Sequence, residues 1–420
     1  MQEKKIMAKE SFGKGKTRVL HTLLGVRTLY DSVSYCNRCA MCAAVCPAYQ
    51  RTPQEDSSPR GRNQALRLLL EGKIKIRPNQ QKLNKLVFSC SLCGKCTQVC
   101  PGKIPTAQHM LELRRRLKLS VLPRPLFVLL RWREDSPRLF YWLVKMGLVG
   151  RHIGLLTLAA YLPGFYWLSH LQEILPARIG KPFRAPEEKH PSAIYLPSLE
   201  AEFLMPHLAK NVYQTASQKY RVAVWKNAPS GLFEYVYGDL QRARRLVRQL
   251  ITRHRHFCGG DLPLITDSID VYALLKRAPE LFEGFASWQQ KAQRFAGFVE
   301  FSLPPASTVQ TTDKRVMLMP ACVLGLPAAF TEPLTKTLRI LFKENFVQCE
   351  YREPQLAPLG YSFIRNTDAH EYNLQAVRTV ASYQAQTVLV LSGLSMLEWG
   401  YWLKKYYPAA QARHIVFSNG

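Results

Sequence analysis

The N-terminal quarter of the chain contains two stretches in which apolar side chains recur at the spacing of a helix. Residues 61–73, GRNQALRLLLEGK, place an apolar face along one side of a helix and end near Gly72, a common helix stop. The residues of this face are Ala65, Leu66, Leu69 and Leu70. Residues 80–90, QQKLNKLVFSC, predict a second helix. This part of the chain is therefore predicted to be helical.

Residues 118–190 are dominated by apolar and aromatic side chains, with arginines and lysines interleaved. From His152 to Gln172 no residue carries a formal charge, which is just long enough to span a bilayer, but Pro163-Gly164 interrupts that stretch. Three structures remain open: a transmembrane helix, an interfacial segment with tryptophans at headgroup depth, and helices packed against protein. The tryptophans are Trp132, Trp142 and Trp167.

From about residue 191 the pattern changes to short strand-like runs that alternate with helix-like segments. The pattern also repeats, with a period of about 125 residues. The matched segments are 193–197 with 316–320, 221–225 with 346–351, and 262–275 with 388–403. Alternating strands and helices predict largely parallel sheets, so we expect a duplicated α/β domain.

The charge of the chain indicates the kind of partner that it meets. The 420 residues carry a formal net charge of +28, spread along the chain, which favours an anionic partner such as an acidic protein or an anionic membrane surface. No nucleic-acid recognition motif accompanies the charge, so we do not expect nucleic acid. The N-terminus has no apolar signal segment, which predicts a cytoplasmic protein.

Eight of the eleven cysteines lie in two short runs that share one spacing, C-x2-C-x2-C-x3-C-P. The first run comprises Cys36, Cys39, Cys42 and Cys46, and the second comprises Cys90, Cys93, Cys96 and Cys100. This is the spacing of bacterial ferredoxins, in which three cysteines hold one [4Fe-4S] cluster and the fourth binds the other cluster. Structural zinc and disulfides are the alternatives, but zinc usually takes two C-x2-C pairs and disulfides are rare in the cytoplasm.

The spacing therefore predicts two [4Fe-4S] clusters with crossed ligation. The first cluster would be bound by Cys36, Cys39, Cys42 and Cys100, and the second by Cys90, Cys93, Cys96 and Cys46. Forty-three residues separate the two runs, which is too many for a minimal ferredoxin built of tight hairpins. The two predicted helices fill that interval.

Residues 30–116 resemble the N-terminal domain of the glycolate oxidase iron–sulfur subunit family, whose relatives serve anaerobic glycerol-3-phosphate dehydrogenase, lactate-utilisation and heterodisulfide reductase complexes. The two cysteine runs carry the resemblance, together with Tyr49, the SPRGR stretch at 58–62 and Gly72. The resemblance implies a domain that passes electrons from a flavoprotein towards quinone or another acceptor. It also favours the interfacial structure for residues 124–172. Beside clusters of negative charge, an interior-facing arginine of SPRGR becomes plausible.

The family's duplicated C-terminal region carries, in each half, a lone cysteine, a Cys-Cys-Gly and a final C-x2-C type motif, which hold a catalytic cluster in heterodisulfide reductase relatives. This chain departs from that pattern. Only Cys322 matches, at the lone position of the second half. The other positions are Pro197-Ser198, Pro229-Ser230-Gly231, Thr266-Asp267-Ser268, Pro358-Leu359-Gly360 and Leu391-Ser392-Gly393. Cys258, Cys322 and Cys349 cannot supply a ligand set, so we expect no third cluster. Residues 254–260, HRHFCGG, are expected to form a basic surface loop rather than a metal site.

These observations predict an α+β multidomain protein. An all-helical dicluster ferredoxin domain (1–117) would precede a basic, aromatic-rich helical segment (118–190) and a duplicated α/β domain (191–420, with repeats of about 191–300 and 314–420). The chain contains no dinucleotide fingerprint, G-x-S-x-G or HExxH, so we expect a non-catalytic subunit of an oxidoreductase complex.

The predicted function is single-electron transfer through two [4Fe-4S] clusters. The partners would be a flavoprotein dehydrogenase or other redox subunit, and an anionic membrane surface or quinone-site protein. The protein would lie peripherally on the inner face of the cell membrane. The alternative is an interaction or assembly scaffold in which the clusters are structural or sense redox state.

Overall fold

The computed structural model describes residues 19–22, 25–117, 136–154, 158, 161, 183–257, 260–302, 314–319, 328–348 and 366–415. The chain divides into two compact units, Met1–Val121 and Leu122–Gly420.

The described residues of the first unit are helical apart from one antiparallel hairpin, which the hydrophobic pattern does not predict. The hairpin strands are β1 (Val19–Thr22) and β2 (Gly25–Thr28). The helices are α1 (Leu29–Ser34), α2 (Pro47–Arg51), α3 (Pro59–Leu70), α4 (Ile76–Phe88), α5 (Lys95–Val99) and α6 (Thr106–Arg116), with a 3-10 turn at Glu55–Ser57.

The start and the end of α3 follow from its sequence. The Ser58 hydroxyl accepts a hydrogen bond from the Gly61 N–H, and Pro59 occupies the first helical position, where no N–H is needed. Gly72 follows the helix with φ +76°, the left-handed conformation that ends many helices. A side chain at Gly61 would collide with the backbone carbonyl of Glu55, so this close approach requires glycine. The predicted helices at 61–73 and 80–90 are confirmed as α3 and α4.

The core of the first unit joins α1, α3 and α6. Leu29 and Val33 of α1 pack against Leu66 of α3, and all three side chains are fully buried. Met110 and Leu113 of α6 are buried as well. These contacts hold together the helices that flank the two cysteine runs, so the runs are anchored on a packed scaffold.

The second unit contains a 16-residue helix, α7 (Pro137–His152), followed by two α/β repeats. The first repeat comprises β3 (Ala193–Leu196), α8 (Leu199–Phe203), α9 (Pro206–Ser217), β4 (Val222–Val224), α10 (Leu232–Tyr237), α11 (Leu240–His256), β5 (Leu264–Thr266), α12 (Ile269–Lys276), α13 (Ala278–Leu281), α14 (Ala286–Phe298) and β6 (Val299–Phe301). The second comprises β7 (Val316–Leu318), α15 (Ala328–Phe342), a 3-10 turn (Lys343–Asn345), β8 (Phe346–Gln348), α16 (Asn366–Ser382), β9 (Thr387–Val390), α17 (Gly393–Tyr406) and β10 (Gln411–His414).

The two repeats share one sheet topology. The strand orders are β4-β3-β5-β6 and β8-β7-β9-β10, and every pair in both sheets is parallel. The three pairs of segments matched in the sequence occupy equivalent strands, β3 with β7, β4 with β8, and β5 with β9. The predicted duplicated α/β architecture is confirmed. Buried strands explain the near-continuous apolar runs, because helices cover parallel sheets.

Most of residues 124–172 lie outside the described residues, and α7 is the main described element of that segment. Within the described part of the chain, we find no helix with the length and hydropathy required to cross a bilayer.

Candidate metal centres

The two cysteine runs adopt one backbone conformation at equivalent positions. Arg38 and Ala40 of the first run have φ values of +55° and +65°, and Leu92 and Gly94 of the second have +59° and +71°. Left-handed residues on either side of the middle cysteine turn the chain sharply, which lets three thiols face one space. The Leu92 N–H lies 3.4 Å from the Cys90 sulfur, as expected for a loop that points its amides at sulfur.

The eight cysteines line two cavities. The first is lined by Cys36, Cys39, Cys42, Cys100 and Cys96, and the second by Cys90, Cys93, Cys96 and Cys46. Apart from Cys96, which borders both cavities, each cavity takes cysteines from one run and the last cysteine of the other, which is the grouping that crossed ligation requires. Cys96 and Thr106 line both cavities, so the two cavities share a wall. Ligation by these residues stays a prediction.

The chemistry of both sites fits an iron–sulfur cluster. Among the described residues, no three His, Cys, Asp or Glu side chains converge on a point that would hold a single metal ion. Burial, and then the neighbouring Cys36, Cys46 and Cys100, raise the pKa of Cys42 to about 11. Burial and the other cysteines of the second cavity raise the pKa of Cys96 well above its usual range. At neutral pH a bound cation would displace the protons of such crowded thiols, and the iron of a cluster would supply that charge.

The SPRGR stretch delivers one arginine to each cavity. Arg60 lines the first cavity and forms a bidentate ion pair with Glu55. Arg62 lines the second cavity and is buried, with its Nη1 3.6 Å from the Cys46 sulfur. Burial alone would lower the pKa of Arg62, but the electrostatic attraction of the Cys46 and Cys90 sulfurs and the contact with Cys46 outweigh it and raise the pKa. The interior-facing arginine that the sequence made plausible is therefore Arg62.

A buried polar network, which sequence reasoning missed, runs beside the shared wall. His109 Nε2 lies 2.8 Å from the Ser32 hydroxyl, His109 Nδ1 lies 2.9 Å from Asn63 Oδ1, and Asn63 Nδ2 donates to Thr106 Oγ1 at 3.0 Å. All four residues are buried. Their only sequence signal is a set of polar residues at helix positions that face the core, which is visible only once the helices are oriented.

Two of the positions that carry cysteines in the resembled C-terminal family, Asp267 and Leu391, take part in hydrogen bonds between the two repeats. The carboxylate of Asp267 accepts from the N–H and the hydroxyl of Ser198, each at 2.7 Å. Ile269 donates to the carbonyl of Leu391, and His414 Nε2 lies 2.9 Å from the backbone carbonyl of Asp267. The Ser198–Asp267 bonds thus lie within the first repeat, and a backbone hydrogen bond and the His414 imidazole link the two repeats.

The predicted surface loop at 254–260 is wrong for its first residues. His254 and His256 belong to α11, and His254 is buried, with Nε2 2.8 Å from the carbonyl of Leu262. The physical reason is that His254 continues the buried apolar face of α11, one turn beyond Leu250 and two turns beyond Val247. Three further cysteines lie outside the described residues: Cys258, Cys322 and Cys349.

Comparison with known proteins identifies the cysteine-bearing region. Residues 32–104 match the model of the 4Fe-4S dicluster domain. The glycolate oxidase iron–sulfur subunit of Escherichia coli is 31% identical over 121 residues, which are 28% of this chain and 28% of that protein. Lactate utilization protein B of an Exiguobacterium strain is 35% identical over 91 residues, 21% of this chain and 18% of that protein; the Macrococcus caseolyticus protein gives the same values.

The matched regions thus span less than a third of these curated relatives, and no solved structure matches the chain significantly. The family model, the doubled cysteine runs and the two thiol-lined cavities together show that residues 32–104 form a 4Fe-4S dicluster domain with two [4Fe-4S] clusters, similar to that of glycolate oxidase iron–sulfur subunits and lactate utilization protein B.

Proposed function

We propose that the chain is the electron-transfer subunit of a membrane-associated oxidoreductase complex, in which it relays single electrons between a flavoprotein or other redox partner and a quinone or downstream carrier. The observation that carries the proposal is the shared wall of the two cavities, at Cys96 and Thr106. Cofactors held on either side of such a wall would be neighbours, as direct electron exchange requires. The cysteines would hold the two clusters, and the clusters would supply the one-electron chemistry.

The surface around the first cavity fits a partner-docking site. Cys39 is exposed, and it is flanked by Tyr35 and Met41, whose side chains are 56% and 53% exposed and line the same cavity. An apolar rim around an accessible thiol lets a partner cover the cluster edge and exclude water from the transfer path. Cys46, in the second cavity, is buried. The first cavity is therefore the proposed point of exchange with the flavoprotein.

The membrane part of the proposal is supported by α7. Leu139, Trp142, Met146 and Val149 recur at intervals of three and four residues, so they lie on one face, and each side chain is between 45% and 55% exposed. Phe140 is buried instead and packs edge-to-face on Phe203, at 4.9 Å between ring centroids. The helix is thus fixed on the α/β unit while its apolar stripe faces outwards.

The charge of α7 indicates that an anionic bilayer covers this exposed apolar stripe. Within Pro137–His152 the chain carries Arg138, Lys145 and Arg151 and no acidic residue. A basic helix with an exposed apolar stripe binds an anionic lipid surface through both burial and charge. Peripheral attachment to the inner face of the cell membrane follows as part of the proposal.

The relay is tested with the anaerobically reconstituted full chain. Photoreduced FMN serves as the flavin donor, and menadione, a soluble naphthoquinone, serves as the acceptor. We expect the flavin to bleach the visible absorption of the clusters and the quinone to restore it, with both clusters cycling. Clusters that are loaded but neither accept electrons from the flavin nor return them to the quinone would overturn the relay and favour the scaffold alternative.

A further inference from the structure

Helix α3 places one arginine at each cluster cavity, and the two arginines differ in what surrounds them. Arg60 lines the first cavity, but its guanidinium is held by the Glu55 carboxylate through Nε at 2.9 Å and Nη2 at 2.8 Å. The ion pair lies at the surface, with about a third of the Arg60 side chain exposed (32%). Its positive charge is therefore both neutralised by a carboxylate and screened by water.

Arg62 occupies the second cavity under the opposite conditions. Only 1% of the residue is exposed, and its hydrogen-bonding partners in the described part of the chain are a carbonyl, a hydroxyl and a thiol. Nε donates to the Leu86 carbonyl at 3.1 Å, Nη2 donates to the Ser89 hydroxyl at 2.8 Å, and Nη1 lies 3.6 Å from the Cys46 sulfur. None of these three groups carries a formal negative charge except the thiol when it is deprotonated.

The fixed geometry of Arg62 also ties the two cysteine runs together. Its Nη1 contacts the last cysteine of the first run, while Leu86 and Ser89 lie at the end of α4, directly before Cys90. Lys95, a second buried cation, lines the same cavity between Cys93 and Cys96. The second cavity thus has a buried, dehydrated arginine in its wall. In the first cavity Arg60 is paired, and Arg38, the other arginine of that lining, is exposed to solvent.

We propose that Arg62 raises the reduction potential of the cluster in the second cavity, and that the pairing of Arg60 with Glu55 withholds the same effect from the first cavity, so that the two clusters are electrically inequivalent. The inference rests on the proposed electron-transfer function and on the crossed ligand sets. Reduction adds one electron and one negative charge to the site, and no bond or proton changes are required. A cation held in a low-dielectric wall stabilises that added charge more than a solvated ion pair does.

The test is an anaerobic redox titration of the reconstituted full chain with dithionite, followed by EPR. Arg62→Gln removes the charge while keeping two amide donors for Leu86 and Ser89. We expect one of the two reduction steps to become at least about tenfold less favourable, which is about 59 mV for a one-electron couple, while the other step stays in place. Arg60→Gln is the matched control on the same helix, and it should shift either step by much less.

A second variant keeps the arginine in place. Ser89→Asp puts a carboxylate beside Arg62 Nη2 and so imitates the Glu55–Arg60 pair. It should lower the reduction potential of the same step that Arg62→Gln affects. This variant keeps the inference testable even if Arg62→Gln fails to load both clusters. Potentials that are unchanged in a fully loaded Arg62→Gln or Ser89→Asp protein would overturn the inference, as would an equal shift in Arg60→Gln.

The outcome can be separated from that of the proposed function. Cys46→Ser identifies the step that belongs to the second cavity, because Cys46 is a predicted ligand there. If the step shifted by Arg62→Gln is a different one, the crossed ligand assignment is at fault. The wild-type clusters could show unequal potentials that respond to Arg62 and yet fail to accept electrons from FMN and pass them to menadione. In that case the inference about Arg62 is supported and the proposed electron-transfer function is not.

Discussion

His109 donates from Nδ1 to Asn63 Oδ1 across 2.9 Å, and both side chains are buried among the helices of the first unit. Because the Asn63 oxygen can only accept, the proton of the neutral ring lies on Nδ1, and Nε2 accepts from the Ser32 hydroxyl at 2.8 Å. Burial lowers the pKa of His109 to about 3, so the ring stays neutral at neutral pH. The histidine thus joins α1, α3 and α6 through uncharged hydrogen bonds.

Replacing His109 with leucine should destabilise the dicluster unit by about 2–4 kcal/mol, because the buried oxygen of Asn63 and the hydroxyl of Ser32 lose their partners. The measurement is urea unfolding of the holoprotein, followed by the loss of cluster absorption. His256→Leu, at an exposed histidine at the end of α11, is the control and should change little. If His109→Leu lowers the free energy of unfolding no more than His256→Leu does, the polar network does not stabilise the unit.

The link between Asp267 and His414 should give the α/β unit an unusual pH dependence. Burial raises the pKa of Asp267 to about 6 and lowers that of His414 to about 4. Between pH 4 and 6 the folded Asp267 holds a proton that the unfolded chain has released, so its contribution to stability falls as pH rises. Over the same pH range His414 is protonated in the unfolded chain but not in the folded one, so its contribution to stability rises with pH. The opposite contributions of Asp267 and His414 to the free energy of unfolding should nearly cancel.

Asp267→Asn should therefore expose the contribution of the histidine. Between pH 4 and 6 the free energy of unfolding of this variant should rise, relative to that of the wild type, by about 1.4 kcal/mol for each pH unit. His414→Gln should show the reverse trend. Tryptophan fluorescence reports this unit specifically, because all seven tryptophans lie after residue 121. Parallel pH profiles for the wild type and both variants would rule out the linkage.

The crossed ligand sets predict which cluster each cysteine supports. The wild-type holoprotein should contain about eight iron atoms and give two interacting S = 1/2 signals on reduction. Cys46→Ser should perturb the cluster of the second run, although Cys46 belongs to the first. Cys100→Ser is the reciprocal variant and should perturb the cluster of the first run. If each variant instead perturbs only the cluster of the run that contains the new serine, the ligation is not crossed.

The exposed stripe of α7 predicts binding to anionic vesicles. Trp142→Glu should weaken flotation with phosphatidylglycerol-containing liposomes about tenfold or more, since burying one large apolar side chain is worth about 1.5–3 kcal/mol. Salt should weaken the binding of the wild type, and neutral phosphatidylcholine vesicles should bind less. Ile340→Glu, at a side chain of α15 that is also open to solvent, is the control. Equal flotation of the two variants would indicate that a protein partner, rather than lipid, covers the stripe.

Local spacing in the sequence is enough to specify several parts of this protein. The C-x2-C-x2-C-x3-C-P runs specify a loop conformation and a cofactor, because three thiols at that spacing can face one cluster whatever surrounds them. The helices α3 and α4 follow from apolar periodicity, and Ser58, Pro59 and Gly72 mark the ends of α3. The α/β duplication was visible because each repeat keeps its strands and helices in the same order.

Which polar groups are buried, and what they contact, depends instead on how distant segments pack. Arg60 and Arg62 are two residues apart in one basic stretch, yet one pairs with Glu55 at the surface and the other enters the second cavity. His254 likewise belongs to a basic stretch of sequence but is buried at the end of α11. The apolar periodicity of α11 places His254 on the buried face, but its acceptor, the Leu262 carbonyl, lies beyond the helix. Burial of a polar side chain requires such partners from elsewhere in the chain, as Leu86 and Ser89 are for Arg62, and local pattern does not encode them.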